Sequence, residues 1–187
     1  FGMPLDQVSP EMRRRAKAVN FGIVYGISDF GLAVQLGCSR QEAGEFIKHY
    51  LERYQGVKEY MERMKALARS QGYVSTLLGR RRYLPDINNR NFNLRSFAER
   101  TAINTPIQGT AADIMKLAML RVDAALQQSG LSSRVLLQVH DELVLEVKEA
   151  EREATAALVQ TEMQNAFKLD VPLLADVNYG KDWASAK

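Results

Sequence analysis

One cysteine in 187 residues, Cys38, rules out an intrachain disulfide and with it the disulfide-stapled secreted class. That scarcity fits a reducing compartment, and a cytoplasmic location is the expectation. No motif accompanies Cys38, so it reads as a small residue flanking a helix. Histidine is almost as scarce. His49 and His140 are the only two, and no Cys/His spacing supports a zinc site. No apolar run reaches the roughly 18 residues of a membrane span, so no membrane partner is expected. Phe1-Gly2-Met3-Pro4 lacks a basic segment followed by an apolar one, so no signal peptide is visible. An initiator Met is also missing, and the expectation is a fragment or a processed chain. Internal repeats and low-complexity stretches are absent.

The chain is large enough for one or two domains with a real core, and its hydrophobic fraction of 46% is ordinary for a globular protein. The net charge is small, +3, but unevenly spread. Basic residues outnumber acidic ones over 1–100, and the order reverses over 101–187. Such a division suits a protein that meets polyphosphate with one region and metal with the other, although charged faces are usually just solvated.

Ser9-Pro10-Glu11 predicts a helix start: Ser as N-cap, Pro at the first position, Glu in the positive first turn. The helix runs through Tyr25, and 26–37 reads as irregular. Ser39 and Glu42 form a capping box for a helix to about Tyr54. Another helix covers Val57 to about Ser70. Tyr73–Thr76 and Arg82–Leu84 predict a hairpin, and 86–93, rich in Asn, is a candidate boundary. Ser96 starts a helix that Pro106 and Gly109 are expected to kink or break. It restarts at Thr110 and reaches about Gln128. A second hairpin follows, then a helix over Lys148–Phe167 and a closing strand over Val171–Val177. The fold class expected is α+β, a helical first part over 1–90 and a part with an antiparallel sheet and flanking helices over 91–187.

Two constellations carry chemistry. Arg134–Val139 and Glu142–Val147 alternate as paired strands, and the connection between them is His140-Asp141 rather than the usual Asn-Gly or Asp-Gly. An acidic tip that breaks the local rule marks a candidate site, and Asp141 is a reasonable Mg²⁺ ligand. A solvated polar turn is the bland alternative. The other constellation is Arg13, Lys17, Phe21 and Tyr25, which recur every four residues on one helix face. Cations near the positive end of a helix are unfavourable until an anion binds there, and an aromatic a turn later could stack on a base or sugar. The bland alternative here is a basic face over buried aromatics. Gly22, inside the helix, implies that something approaches closely.

Arg13, Lys17, Phe21, Gly22, Tyr25 and Gly26, followed by Gln138-Val139-His140-Asp141-Glu142, resemble motifs B and C of family A DNA polymerases, the bacterial polymerase I type. Thr76, Gly79, Arg80, Arg81, Arg82, Leu84 and Pro85 also match, as do Arg100, Asn104, Pro106, Gln108, Gly109, Thr110 and Ala111. All stand in the family's order. The resemblance implies fingers over 1–90 and the C-terminal part of the palm over 91–187. The implied reaction is template-directed nucleotidyl transfer from dNTP to a primer 3′ end by a two-metal mechanism. Asp141 would be a catalytic Mg²⁺ ligand, with Glu142 a secondary ligand or positioning group. Arg13 and Lys17 would hold the triphosphate, and Lys17 could also protonate the leaving pyrophosphate. Phe21 would pack on sugar and base, and Tyr25 near the templating base. Arg100, Asn104 and Gln108 would touch the duplex minor groove, and His140 the primer end. Arg80, Arg81 and Arg82 are candidates for template phosphates or simply an exposed basic turn.

The implied partners are template–primer DNA, dNTP and an upstream polymerase segment carrying the second catalytic aspartate. Without that segment the two-ion site is incomplete, and the isolated chain is expected to be inactive. A fragment that only binds nucleotide or duplex is one alternative. A single-subunit RNA polymerase is the other. Its relatives carry Tyr at the Phe21 position and His-Asp-Ser, so Phe21 and Glu142 point to DNA.

Overall fold

The computed structural model describes residues 3–186. These form an α+β chain with six α-helices and two small antiparallel hairpins among the described residues. Two compact units divide it, Phe1–Ile107 and Gln108–Lys187.

In the first unit, α1 (Pro10–Val24), α2 (Asp29–Leu36) and α3 (Arg40–Arg53) follow their caps. Ser9, Ser28 and Ser39 each accept a backbone N–H of the first turn, and Ser39 with Glu42 completes the capping box. The stretch expected to be irregular therefore contains a helix. Its signals were a Ser-Asp start and Gly37, whose φ of 66° closes the last turn. Arg40 pairs with Asp29 at 2.7 Å. Leu32, Ala33 and Ala43 are buried between these helices, with Val19, Ile27, Leu36, Cys38 and Ile47 packed around them.

Helix α4 (Gln55–Gln71) ends at Gly72 in the left-handed region. It leads into strands β1 (Tyr73–Ser75) and β2 (Arg81–Tyr83), paired antiparallel with Tyr73 opposite Tyr83. Val74, fully buried, joins Ala68, Leu84, Ile87, Ala98 and Ala102 in a second core.

Helix α5 (Phe92–Ser129) is longer than expected at its start and is not broken by Pro106 or Gly109. Asn91 Oδ1 accepts the N–H groups of Asn93 and Leu94, which moves the start upstream of Ser96. Pro106 removes an N–H and costs about 3 kcal/mol in a helix interior. Burial of Ala98, Ala102 and Ile103 on the preceding turns favours continuation. The Tyr60 hydroxyl donates to the Ile103 carbonyl at 2.9 Å, so α4 supplies a donor next to the proline turn.

In the second unit, β3 (Arg134–Val139) and β4 (Glu142–Glu146) form a hairpin with a bulge between Val135 and Leu137. Helix α6 (Arg152–Gln164) begins after a short 3₁₀ turn over Glu149–Glu151 and ends before the expected Phe167. Val122, Leu126 and Val159 pack with Val135, Leu143 and Leu145. Residues 171–177 do not form the expected strand. Leu173 packs beside Ile114, Ala118 and Ala166, and the Ala175 carbonyl accepts Gln160 Nε2 at 2.7 Å. Helix side chains, rather than a neighbouring strand, take up this segment.

Candidate functional site

Helix α1 presents the predicted stripe as a physical series. Lys17 Nζ lies 5.7 Å from the centroid of the Phe21 ring, and the Phe21 and Tyr25 rings stack at 6.1 Å with 25° between planes. Phe21 is 46% exposed and Tyr25 40%, so neither is core, and the bland alternative fails for both rings. Arg14 bonds Glu11 through two nitrogens at 2.9 Å. That exposed contact raises the pKa of Arg14 and lowers that of Glu11. No carboxylate pairs with Arg13 or Lys17 among the described residues. The helix therefore satisfies Arg14 and leaves Arg13 and Lys17 of the stripe, one turn apart, for an outside anion.

The C-terminus of α1 is fixed by a Schellman closure. Gly26, with φ of 78°, donates to the Ile23 carbonyl at 2.9 Å, and Ile27 donates to Gly22 at 2.8 Å. The close neighbour that Gly22 implied is Ile27. A Cβ at Gly22 would lie 3.1 Å from Ile27 Cγ2. Glycine thus lets the chain fold back on its own helix.

Within the same unit, Arg100 and Asn104 stand against this closure. A Cβ on Gly26 would lie 3.2 Å from Arg100 Cγ, and Asn104 Nδ2 donates to the Tyr25 carbonyl at 3.4 Å. Arg100 Nη1 also donates to Ser96 Oγ at 2.9 Å. Gln108 is exposed and belongs to the second unit. The residue that sequence reasoning missed is Asn20, beside Phe21. Its Oδ1 accepts the Tyr50 hydroxyl at 2.6 Å and ties α3 to α1. Thirty positions separate the two, and no local pattern signals the pair.

The second unit carries His140, Asp141 and Glu142, all exposed at the tip of the β3–β4 hairpin. His140 has φ of 53°, the one positive φ outside glycine among the described residues. A two-residue connection requires such a conformation, and a residue other than Gly, Asn or Asp adopts it at a cost of order 1–2 kcal/mol. Gln138 Nε2 donates to the His140 carbonyl at 2.6 Å and pins the turn. The Asp141 and Glu142 side chains have no hydrogen bond or ion pair among the described residues. They are adjacent hard oxygen donors, suited in chemistry to Mg²⁺. No group of three or more His, Cys, Asp or Glu able to hold a metal occurs among the described residues. Two carboxylates fit part of a Mg²⁺ shell, since Mg²⁺ commonly takes one or two together with phosphate oxygens and water. Among the described residues no helix is long and apolar enough to cross a membrane.

Residues 1–185 match the family model described as DNA polymerase family A. The chain is 58% identical over 187 residues to DNA polymerase I of Bacillus caldotenax, covering 100% of this chain and 21% of that protein. It is 55% identical over 186 residues to DNA polymerase I of Pseudomonas aeruginosa, covering 20% of it. Among solved structures it is similar to the POL domain of Pol1 from M. smegmatis in complex with DNA primer-template and dNTP. That match has a TM-score of 0.94 and 50% identity, and covers 100% of this chain and 33% of the other. The chain spans about a fifth of the length of the curated relatives it matches.

Proposed function

This chain belongs to DNA polymerase family A, and on that premise we propose that it is the nucleotide-binding and metal-binding portion of a DNA-directed DNA polymerase. The observation that carries the reading is the α1 stripe: two cations without acid partners, followed by two stacked and half-exposed rings. A nucleoside triphosphate has the same order of parts, anion then flat ring. The mycobacterial neighbour was solved with primer-template and dNTP, which supports the same two ligands here.

In this reading residues 1–90 act as fingers and 91–187 as the C-terminal part of the palm. Arg13 grips phosphate oxygens with its planar fork, and Lys17 places a mobile charge beside them. Lys17 gives a proton to the leaving pyrophosphate. Phe21 packs on the sugar and base, and Tyr25 borders the templating base. Arg100, Asn104 and Gln108 test duplex shape through minor-groove acceptors that all base pairs share. His140 orders the primer end. Asp141, with Glu142 beside it, would hold Mg²⁺ together with an aspartate from an upstream segment. Bound there, Mg²⁺ supplies charge neutralisation to the attacking and leaving oxygens. The work is done where DNA and dNTP meet, the bacterial cytoplasm. Phe21 and Glu142 favour this reading over an RNA polymerase.

The test is primer extension with purified 187-residue chain, alone and joined to the upstream segment of a relative. The chain alone gives no extension with Mg²⁺, and the joined protein extends. Asp141→Ala then abolishes extension and keeps primer–template affinity within about threefold. Near-parental turnover by the Asp141→Ala protein would overturn the metal assignment.

A further inference from the structure

The β1–β2 hairpin carries a surface that neither the nucleotide stripe nor the metal tip uses. Directly opposed residues of an antiparallel pair share a face. Val74 is buried on one face, so Tyr73 and Tyr83, paired opposite each other, lie on the other. Their rings are 5.5 Å apart. Arg81 lies on that same face, with its guanidinium 4.7 Å from the Tyr73 centroid. Guanidinium, ring and ring therefore form one short row, with the two rings tilted at 56° to each other. It is open to solvent, since Tyr83 is 67% exposed. No carboxylate pairs with Arg81 or Arg82 among the described residues, and the nearby Asp86 carboxylate is engaged by Asn89. The tip beyond the row presents Leu77, 69% exposed.

We infer that this hairpin binds single-stranded nucleic acid, with a base stacked on the open Tyr83 ring and a phosphate met by Arg81 on the same face. An open aromatic face beside a cation without an acid partner is what a single strand needs, because every base has a stacking face and every nucleotide a charge. A duplex keeps its base faces internal and offers only phosphates, so the exposed rings gain nothing from it. The inference rests on the polymerase reading only for the source of the strand, an unpaired stretch of template.

The experiment measures fluorescence anisotropy of three probes with the 187-residue chain at low salt: a thymidine oligomer of about ten nucleotides, an abasic strand of equal length, and a duplex. The thymidine strand binds about tenfold more tightly than the abasic strand. Tyr83→Ala removes that preference, and Tyr83→Phe keeps it, because the ring and not the hydroxyl does the stacking. Arg81→Gln weakens both strands by a similar factor and lowers the salt dependence. Far-UV circular dichroism establishes that the variants keep their fold. In the unaltered chain, a bromouracil strand photocrosslinks to the peptide holding Tyr73 or Tyr83. Equal affinity for thymidine and abasic strands, or crosslinks confined to other peptides, would overturn the inference. No extension by the joined polymerase beside an intact preference for bases would sink the polymerase reading alone, so failure of that reading and failure of this one are told apart.

Discussion

Lys17 holds its charge over the Phe21 ring with no acid to neutralise it, so its removal is felt by an anion rather than by the fold. In the completed polymerase, Lys17→Ala is expected to weaken nucleotide binding and slow incorporation by about 1.5–3 kcal/mol, the size of one charge-assisted contact. Steady-state kinetics with titrated dNTP reads this, and duplex affinity measured in parallel stays level. A loss confined to duplex affinity would move Lys17 to the template. His140 poses the opposite trade. Its φ of 53° is a conformation glycine adopts without strain. His140→Gly is expected to stabilise the second unit by about 0.5–1 kcal/mol, strain relief being partly offset by a freer unfolded chain. Urea unfolding reads the gain. Extension from the primer end falls in the same variant, which separates the backbone contribution of His140 from the role of its imidazole.

At the scale of elements, closures matter more than helix propensity. Gly26 ends α1 with a positive φ and sits where a Cβ would press on Arg100. Gly26→Ala is therefore expected to destabilise the first unit by about 1 kcal/mol or more, seen as a lower urea midpoint. A different closure is electrostatic. Glu151 accepts the Ser132 hydroxyl and N–H and the Ser133 hydroxyl, joining the start of β3 to the start of α6. The Ser132 hydroxyl is the largest cause holding its pKa below 4.5, with Ser133 and the Ser132 N–H adding to it. A depressed folded pKa gives stability that is present above the unfolded value and lost as pH falls through the folded one. Glu151→Gln is expected to flatten the fall in melting temperature below about pH 4.5 without changing its sign above. Thermal melts from neutral to acid pH check this.

These cases also separate what the residues announce from what they do not. In α1 and α3 each capping side chain lies three positions from the N–H it accepts, so both helices were legible. Helix α2 carried the same kind of cap, but its glycines read as loop. The continuity of α5 through Pro106 depends on Tyr60 and a buried face supplied by distant residues, and no local pattern contains that. Residues 171–177 alternate like a strand, yet α6 claims the Ala175 carbonyl. At the site, the stripe and the acidic tip were visible as spacing. Which cations lack acids, and the reach of Asn104 to the Tyr25 carbonyl, arise from positions 79 apart and only the fold states them.

For the whole molecule, the two units differ in what they leave open. Phe92 and Phe97 are exposed in the first, and Leu120, Leu136, Leu137 and Leu174 in the second. Apolar exposure of this extent drives association. Sedimentation velocity is expected to show the isolated chain associating as concentration rises, and the joined polymerase remaining monomeric. A monodisperse isolated chain at high concentration would mean that these side chains are covered in solution in some other way.

The bulge in β3 has a consequence for how this hairpin tolerates the loss of a codon. Arg134 and Val135 pair with Glu146 and Leu145, while Leu137, Gln138 and Val139 pair with Val144, Leu143 and Glu142. Leu136 is the extra residue between two correct ladders. Its deletion joins them into one regular register and leaves His140-Asp141 at the tip. Deleting Val139 instead carries Gln138 into its half-buried place opposite Glu142. In a deletion scan of 134–139 scored by soluble yield, the chain lacking Leu136 is expected to survive where the chain lacking Val139 does not. The His140-Asp141 tip thus rides on a hairpin whose length can shorten by one residue without moving it.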